Sequence, residues 1–163
     1  ISCQFSIHYF FENEVKLDIF MRNIQENLKS DGKFIGTCLD GSRIFNALKS
    51  ESSLSALDKD GSLLWKINKK YEGDTFLDDS SSLGYPIDVY MNSIGKTTQE
   101  WLVNFDYLRY KLDMYGLKLD KVESFEDIWN KEKGYSKYGD ASKMMNDLQQ
   151  YSFLNSTFVI TKK

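Results

Sequence analysis

The chain has 163 residues, 41% of them hydrophobic and 28% charged, the balance of one folded globular domain with a real core and not of a disordered chain. A net charge of −3 excludes whole-molecule attraction to nucleic acid, so any RNA contact has to come from a local basic patch or from a pocket. No apolar run approaches the length of a bilayer span, no signal peptide precedes the first strand, and Cys3 and Cys38 match no metal spacing; the expectation is an intracellular protein with reduced thiols, no membrane partner and no metal.

In chain order, the mostly apolar run Ile1 to Phe11 reads as a strand buried on both faces, ending where it delivers Gln4, Phe5, His8 and Tyr9. Glu12-Asn13-Glu14 then reads as a helix start, and the helix is expected from about Asn13 to Ser30, striped by Leu17, Phe20, Met21, Ile24 and Leu28. Lys33 to Cys38 is a second buried strand, and Ser42 caps a helix carrying Ile44, Phe45 and Leu48. Strand, helix, strand, helix in this order argues for an α/β fold with a mostly parallel sheet, whose carboxyl edge is the ligand edge.

The middle breaks that pattern. Ser50 to Ser62 is Ser-rich and reads as loop or weak helix, whereas Leu63 to Tyr71 and Pro86 to Met91 alternate as a pair of antiparallel strands laid over the main sheet. The acidic connector from Gly73 to Gly84 is a solvated loop with no assigned role. A long helix is expected from Thr98 to Tyr115, striped by Trp101, Phe105, Leu108, Leu112 and Tyr115, and a strand from Leu117 to Val122. Short helices Phe125 to Glu132 and Ala141 to Gln150 flank a Gly/Tyr/Lys loop, Lys133 to Gly139, and Ser156 to Thr161 is the last strand.

Two residues have both a structural and a chemical reading. His8, the single histidine, is either a packed core side chain or, beside Tyr9 at the ligand edge, half of a stacking and hydrogen-bonding pair. Glu100 is either the last member of a capping box begun by Thr97 or a carboxylate that accepts from the N–H and NH₂ edge of a guanine. There is no Ser-His-Asp order, no nucleophilic cysteine setting and no glycine-rich phosphate loop.

The runs Cys3-Gln-Phe-Ser-Ile-His-Tyr-Phe-Phe-Glu12, Asn27-Leu28 with Gly32-Lys-Phe-Ile-Gly-Thr37, and Glu100-Trp-Leu-Val-Asn-Phe105 resemble the carboxyl-terminal half of the mRNA cap guanine-N(7) methyltransferases. The variant at Gly36 to Gly41 is more similar to the enzymes of large DNA viruses, with Leu39 where cellular members carry proline. The resemblance implies a Rossmann-like class I fold using S-adenosylmethionine as methyl donor and 5′-capped RNA as acceptor. By position, Gln4, Phe5 and Tyr9 match residues of the donor pocket, His8 and Tyr9 match the pair where donor and cap guanine meet, and Glu100 matches the acid that reads guanine. No side chain is implied as catalytic base or nucleophile. Asn155 stands where relatives have a tyrosine that helps close the cap pocket, with Tyr151 and Phe153 nearby.

The family's acidic, glycine-rich donor loop has no counterpart in residues 1–163. The expectation is therefore a carboxyl-terminal half-domain, unable to methylate alone, completed by an amino-terminal half or by a partner capping subunit. It would act in the cytoplasm (a viral factory or a virion) or in the nucleus. The competing expectation is a non-catalytic, methyltransferase-like subunit that docks in a capping complex.

Overall fold

In the computed structural model, which describes residues 1–132 and 146–163, the chain opens with a short strand, β1 (Ser2–Gln4), and a 3₁₀ helix (Ile7–Glu12). It continues through α1 (Glu14–Asn27), β2 (Lys33–Leu39) and α2 (Gly41–Ala47). A meander follows, β3 (Ser53–Leu57), β4 (Leu63–Lys69), β5 (Pro86–Met91) and β6 (Lys96–Trp101). The remainder is α3 (Phe105–Met114), β7 (Leu117–Ser124), α4 (Phe125–Glu132), α5 (Asn146–Phe153) and β8 (Asn155–Lys162).

Two four-stranded sheets result. The main sheet has the order β1-β2-β8-β7; β1 pairs with β2 in parallel, and β8 runs antiparallel to both of its neighbours. Three of its four strands thus share one direction, but the reversed β8 between β2 and β7 makes the sheet mixed, with β1–β2 the parallel pairing among the described residues. Helices α1 and α3 cover one face, where Leu17, Met21, Phe34, Leu108, Phe158 and Ile160 form the first core. The second sheet is an antiparallel meander whose inner face meets α2, and Ile44, Leu48, Trp65, Ile67, Ile87 and Val89 fill the second core. Lys111 of α3 is buried and ties the helix layer together, paired with Glu14 and Asp18 of α1. Among the described residues no helix is long and apolar enough to cross a membrane.

Several expectations need correction. The opening strand stops at Gln4 and is a half-exposed sheet edge, not a strand buried on both faces. Phe5 adopts φ 50, which breaks the extended path, and the next residues wind so that Ile7, His8 and Phe11 point inward at helical spacing. Helix α1 starts from its cap at Asn13 as expected, the Asn13 Oδ1 accepting from the Lys16 amide, but ends at Asn27, short of Ser30. The cap of α2 is Asp40, which accepts from the amides of Ser42 and Arg43, so Ser42 is already inside the helix.

Ser53–Leu57 is a strand rather than loop or weak helix, because the Asp58–Ser62 turn folds it back on β4. Asp58 Oδ1 accepts the amides of Asp60 and Ser62, and Gly61 takes φ +81. The predicted long helix from Thr98 splits in two. Residues 96–101 pair with β5, and the helix begins only at Phe105, capped by Asn104, whose side chain accepts from the amides of Asp106 and Tyr107. Thr97 and Glu100 are strand residues, and the capping-box reading falls with the helix. The expected loop Lys133 to Gly139 and the first residues of the helix from Ala141 lie outside the described residues.

Gly36 is a packing requirement. A Cβ there would lie 2.3 Å from the Cys3 carbonyl oxygen and 2.3 Å from the Phe158 ring, and one of those atoms is backbone of the paired strand. Gly36→Ala is expected to cost about 1–3 kcal/mol through overpacking, read as a lower urea midpoint at unchanged slope. A midpoint equal to the parent's would show that β1 and β2 can part freely.

Candidate functional site

The sequence-predicted side chains gather where the two sheets meet. In the register of β5 and β6, Glu100 stands opposite Ile87 and Thr98 opposite Val89, which turns both toward the inner face of the second sheet. The 3₁₀ helix packs on β6 and brings His8 to the same place. Its Nδ1 comes within 3.4 Å of Glu100 Oε2. His8 is 3% exposed, yet neither ring nitrogen has a hydrogen-bond partner among the described residues, because the approach to Glu100 is out of line. Glu100 has one weak donor, the Thr98 hydroxyl at 3.5 Å.

Burial sets the electrostatics. It pushes the Glu100 carboxyl up to about 7, against a small opposing effect of the Thr98 hydrogen bond, and pulls the His8 imidazole down to about 4. At neutral pH His8 is uncharged and Glu100 stands near its midpoint, so their contact is not an ion pair. A buried imidazole without a partner, beside a half-buried carboxylate with one weak donor among the described residues, is costly, and such groups collect where a ligand completes them.

Tyr9 is 44% exposed and forms the open rim of the site, its ring 4.2 Å from that of His8 and 6.5 Å from that of Trp101, both edge to face. Gln4 and Phe5 occupy a second position, at the carboxyl end of β1. Thr37 donates to Gln4 Oε1 at 2.7 Å, and Gln4 Nε2 donates to the Ser2 hydroxyl at 2.9 Å. The Phe5 ring is 53% exposed and meets Phe125 of α4 edge-on at 6.5 Å. Its left-handed backbone costs of the order of 1–3 kcal/mol, a strain that holds the ring outward at the sheet edge. His8, Tyr9 and Glu100 therefore form one cluster, with Gln4 and Phe5 beside it on the same chain segment.

Sequence reasoning passed over two residues at this seam. Asp40 fastens its centre, accepting from the Ser42 and Arg43 amides through Oδ1 and from the Ser156 hydroxyl through Oδ2. The signal was present, an aspartate directly before Gly-Ser-Arg, but Ser42 offered itself as the cap. Asn104 fixes the start of α3 and also donates to the Leu77 carbonyl and to Asp78, which docks the acidic loop. Tyr151 of α5, noted in the sequence as a neighbour of Asn155, packs its ring on Trp65 at 5.5 Å. Asn155 is buried and donates to the carbonyls of Tyr151 and Ser152. A separate cleft of about 350 Å³, lined by Glu14, Asp78, Asp79, Ser80, Tyr107 and Tyr110, contains none of the predicted site residues and is acidic, which ill suits RNA phosphate.

The two displaced titrations act on stability in opposite directions. The unfolded Glu100 loses its proton near 4.5 while the folded one keeps it to about 7, so its contribution falls as pH rises across that interval. The unfolded His8 gains a proton below 6.5 while the folded one resists to about 4, so its contribution falls as pH drops across that interval. Where the intervals overlap the two nearly cancel. Denaturation midpoints of Glu100→Gln should then rise with pH between about 4 and 6.5, and those of His8→Asn should fall between about 4.5 and 7. Each change should amount to a few kcal/mol, and flat profiles for both variants would refute the assignment.

The geometry can be set beside known proteins. Over nearly its full length the chain superposes on an S-adenosylmethionine-dependent methyltransferase from Clostridium acetobutylicum, with TM-score 0.55 and 11% identity, covering 99% of this chain and 57% of that one. The CcbJ methyltransferase of Streptomyces caelestis gives TM-score 0.54 at 13% identity, covering 99% and 55%. The fold is thus the Rossmann-like class I methyltransferase fold. In sequence, the chain is 36% identical over 145 residues to the "Probable mRNA-capping enzyme" of Acanthamoeba polyphaga mimivirus, covering 84% of this chain and 12% of that protein. It is 31% identical over 138 residues to the mRNA cap guanine-N(7) methyltransferase of Candida albicans, covering 81% and 28%. The chain thus spans between about an eighth and about a quarter of these two relatives. The model of the mRNA (guanine-N(7))-methyltransferase domain matches residues 1–161, and the chain belongs to that family.

Proposed function

We propose that this chain forms the acceptor side of an mRNA cap guanine-N(7) methyltransferase, which moves a methyl group from S-adenosylmethionine to the cap guanine of RNA 5′ ends. The observation that carries this reading is the buried His8, its ring nitrogens without a hydrogen-bond partner among the described residues, set against the half-buried Glu100 carboxylate at the seam of the two sheets. A guanine edge presents an N–H and an NH₂ side by side, and the two oxygens of an ionised Glu100 accept both. Tyr9, half-exposed, offers a ring face at the mouth of the site.

The residues beside this cluster suit the methyl donor. Phe5 and Tyr9 hold exposed rings at the carboxyl edge of the sheet, with the Gln4 amide next to them, the combination an adenosyl group can stack on and hydrogen-bond to. When bound there, S-adenosylmethionine supplies an already activated sulfonium methyl. The guanine N7 lone pair needs no base, so the chain's own task is to orient the acceptor. Holding two reactants in line contributes up to roughly 7–11 kcal/mol of barrier lowering. An uncharged His8 also keeps a positive group away from a cationic donor and from the cationic methylated guanine. The glycine-rich donor loop would come from sequence outside residues 1–163 or from a second subunit. This activity puts the protein where capping occurs, in the cytoplasm for a virus-like enzyme or in the nucleus.

The test is titration of GpppG into the protein between pH 6 and 8. Affinity should rise with pH as Glu100 ionises around 7, because only the carboxylate accepts both guanine hydrogens. Glu100→Gln should weaken binding by tenfold or more and flatten the pH profile. Saturable binding with unchanged affinity and an unchanged profile in that variant would remove Glu100 from guanine recognition.

A further inference from the structure

The two oxygens of Glu100 have different neighbours. Oε2 stands 3.4 Å from His8 Nδ1, and Oε1 lies 3.5 Å from the Thr98 hydroxyl. Alternation along β6 puts residues 98 and 100 on one face of the strand, so hydroxyl and carboxylate are neighbours through the pleat itself. The same hydroxyl stands 3.5 Å from the carbonyl oxygen of Val89, the residue opposite it on β5.

A hydroxyl has one hydrogen to give, and it rotates to the better acceptor. While Glu100 is protonated, Thr98 has two neutral oxygens at equal distance. Once Glu100 is ionised, Oε1 is the stronger acceptor, because a hydrogen bond to a charged oxygen is roughly twice as strong as one between neutral groups. The Thr98 hydroxyl is thus placed to follow the protonation state of the carboxylate.

The surrounding groups keep one state while Glu100 changes. Burial pulls the His8 imidazole down to about 4. The Cys38 thiol of β2 and the Tyr151 hydroxyl of α5 both feel the Glu100 charge, and both are pushed up, by burial first. All three are therefore neutral near pH 7. The charged residues of the two elements packed on β6 are paired elsewhere, Glu12 of the 3₁₀ helix with Lys16 and Asp88 of β5 with Lys70.

We propose that Thr98 is a positioning residue for base recognition, its hydroxyl turning from the Val89 carbonyl to Oε1 when Glu100 ionises and so holding the carboxylate ready for the base. The inference rests on the guanine-reading role of Glu100 proposed above. It gives Thr98 a task beyond that of a β-branched residue suited to a strand.

GpppG is titrated from pH 6 to 8.5 into the parent protein, Thr98→Val, Thr98→Ser and Glu100→Gln, with thermal midpoints recorded for each. Valine keeps the β-branched shape and removes the hydroxyl. Thr98→Val should move the pH midpoint of affinity up by about half a unit to one unit, weakening binding roughly twofold to fivefold at pH 7 and much less at pH 8.5. Thr98→Ser keeps the hydroxyl and should keep the parent's profile. The role of Thr98 is overturned by a folded Thr98→Val with the parent's midpoint, by a loss of equal size at every pH, or by a serine profile equal to that of valine. Binding lost in Glu100→Gln would in each of these cases leave the guanine reading standing. No saturable binding by the folded parent, or parent-like binding by Glu100→Gln, overturns the guanine reading and this inference together. Should Thr98→Val unfold, Thr98→Ala takes its place and is read in the same way.

Discussion

The junction of Asp40, Gly41 and Val103 determines whether there is a site at all. The Asp40 amide donates to the Leu154 carbonyl and the Gly41 amide to the Val103 carbonyl, while the Asp40 side chain holds the start of α2 and the Ser156 hydroxyl. Asp40 and Val103 also form an isolated parallel bridge. One dipeptide thus fastens the carboxyl end of β2 to the segment leaving β6 and to the corner between α5 and β8. No side chain fits at position 41, where a Cβ would stand 2.4 Å from the Val103 carbonyl oxygen. Loosen this contact and β6 is free to move relative to the 3₁₀ helix, which separates Glu100 from His8.

The polar groups buried along this seam are there at a cost in stability. An unpartnered buried donor or acceptor costs about 1–3 kcal/mol, and both His8 nitrogens and the Asn155 Oδ1 are of this kind among the described residues. An apolar side chain of similar size in place of His8 would pack the first core without that penalty. The second core shows the difference, since it joins α2 to the meander almost entirely through apolar and aromatic contacts. Cys38 lies in the first core, its thiol pushed well above the ordinary range by burial first and then by the charges of Asp40, Cys3 and Glu100.

How far this was readable from sequence depends on how local the signal was. The stripe of Leu17, Met21, Ile24 and Leu28 predicted α1 because a single helix face meets a single core. Phe158 and Ile160 predicted β8 by plain alternation. The stretch from Thr98 to Tyr115 misled because Trp101, Phe105, Leu108 and Leu112 keep helical spacing across a strand, a turn and a helix, and a chance Thr-x-x-Glu imitates a cap. Only long-range pairing with β5 decides that case. The aromatic run after Ser6 is equally ambiguous, since inward positions 7, 8 and 11 satisfy no strand and residues 1–6 satisfy no helix. His8, Tyr9 and Glu100 were nameable through their motifs. Tyr151 stood out only as a neighbour of Asn155, and its packing on Trp65 depends on α5 being folded back over the second sheet, which local sequence does not encode.

Charge then decides how an acidic protein can handle capped RNA. On the proposed reading, residues 1–163, with a net charge of −3, gain little from phosphate attraction and contribute recognition of the terminal base. In such a site a fully charged Glu100 would attract the cationic sulfonium and the cationic methylated guanine alike, and would hold the product. A charged His8 would repel both. Burial moves each group toward its neutral form, Glu100 to near its midpoint at physiological pH and His8 well clear of it. If Glu100 reads guanine as proposed, it ionises against guanine's donors on binding and recovers its proton when they leave, and the same desolvation that destabilises the empty seam makes that recognition reversible.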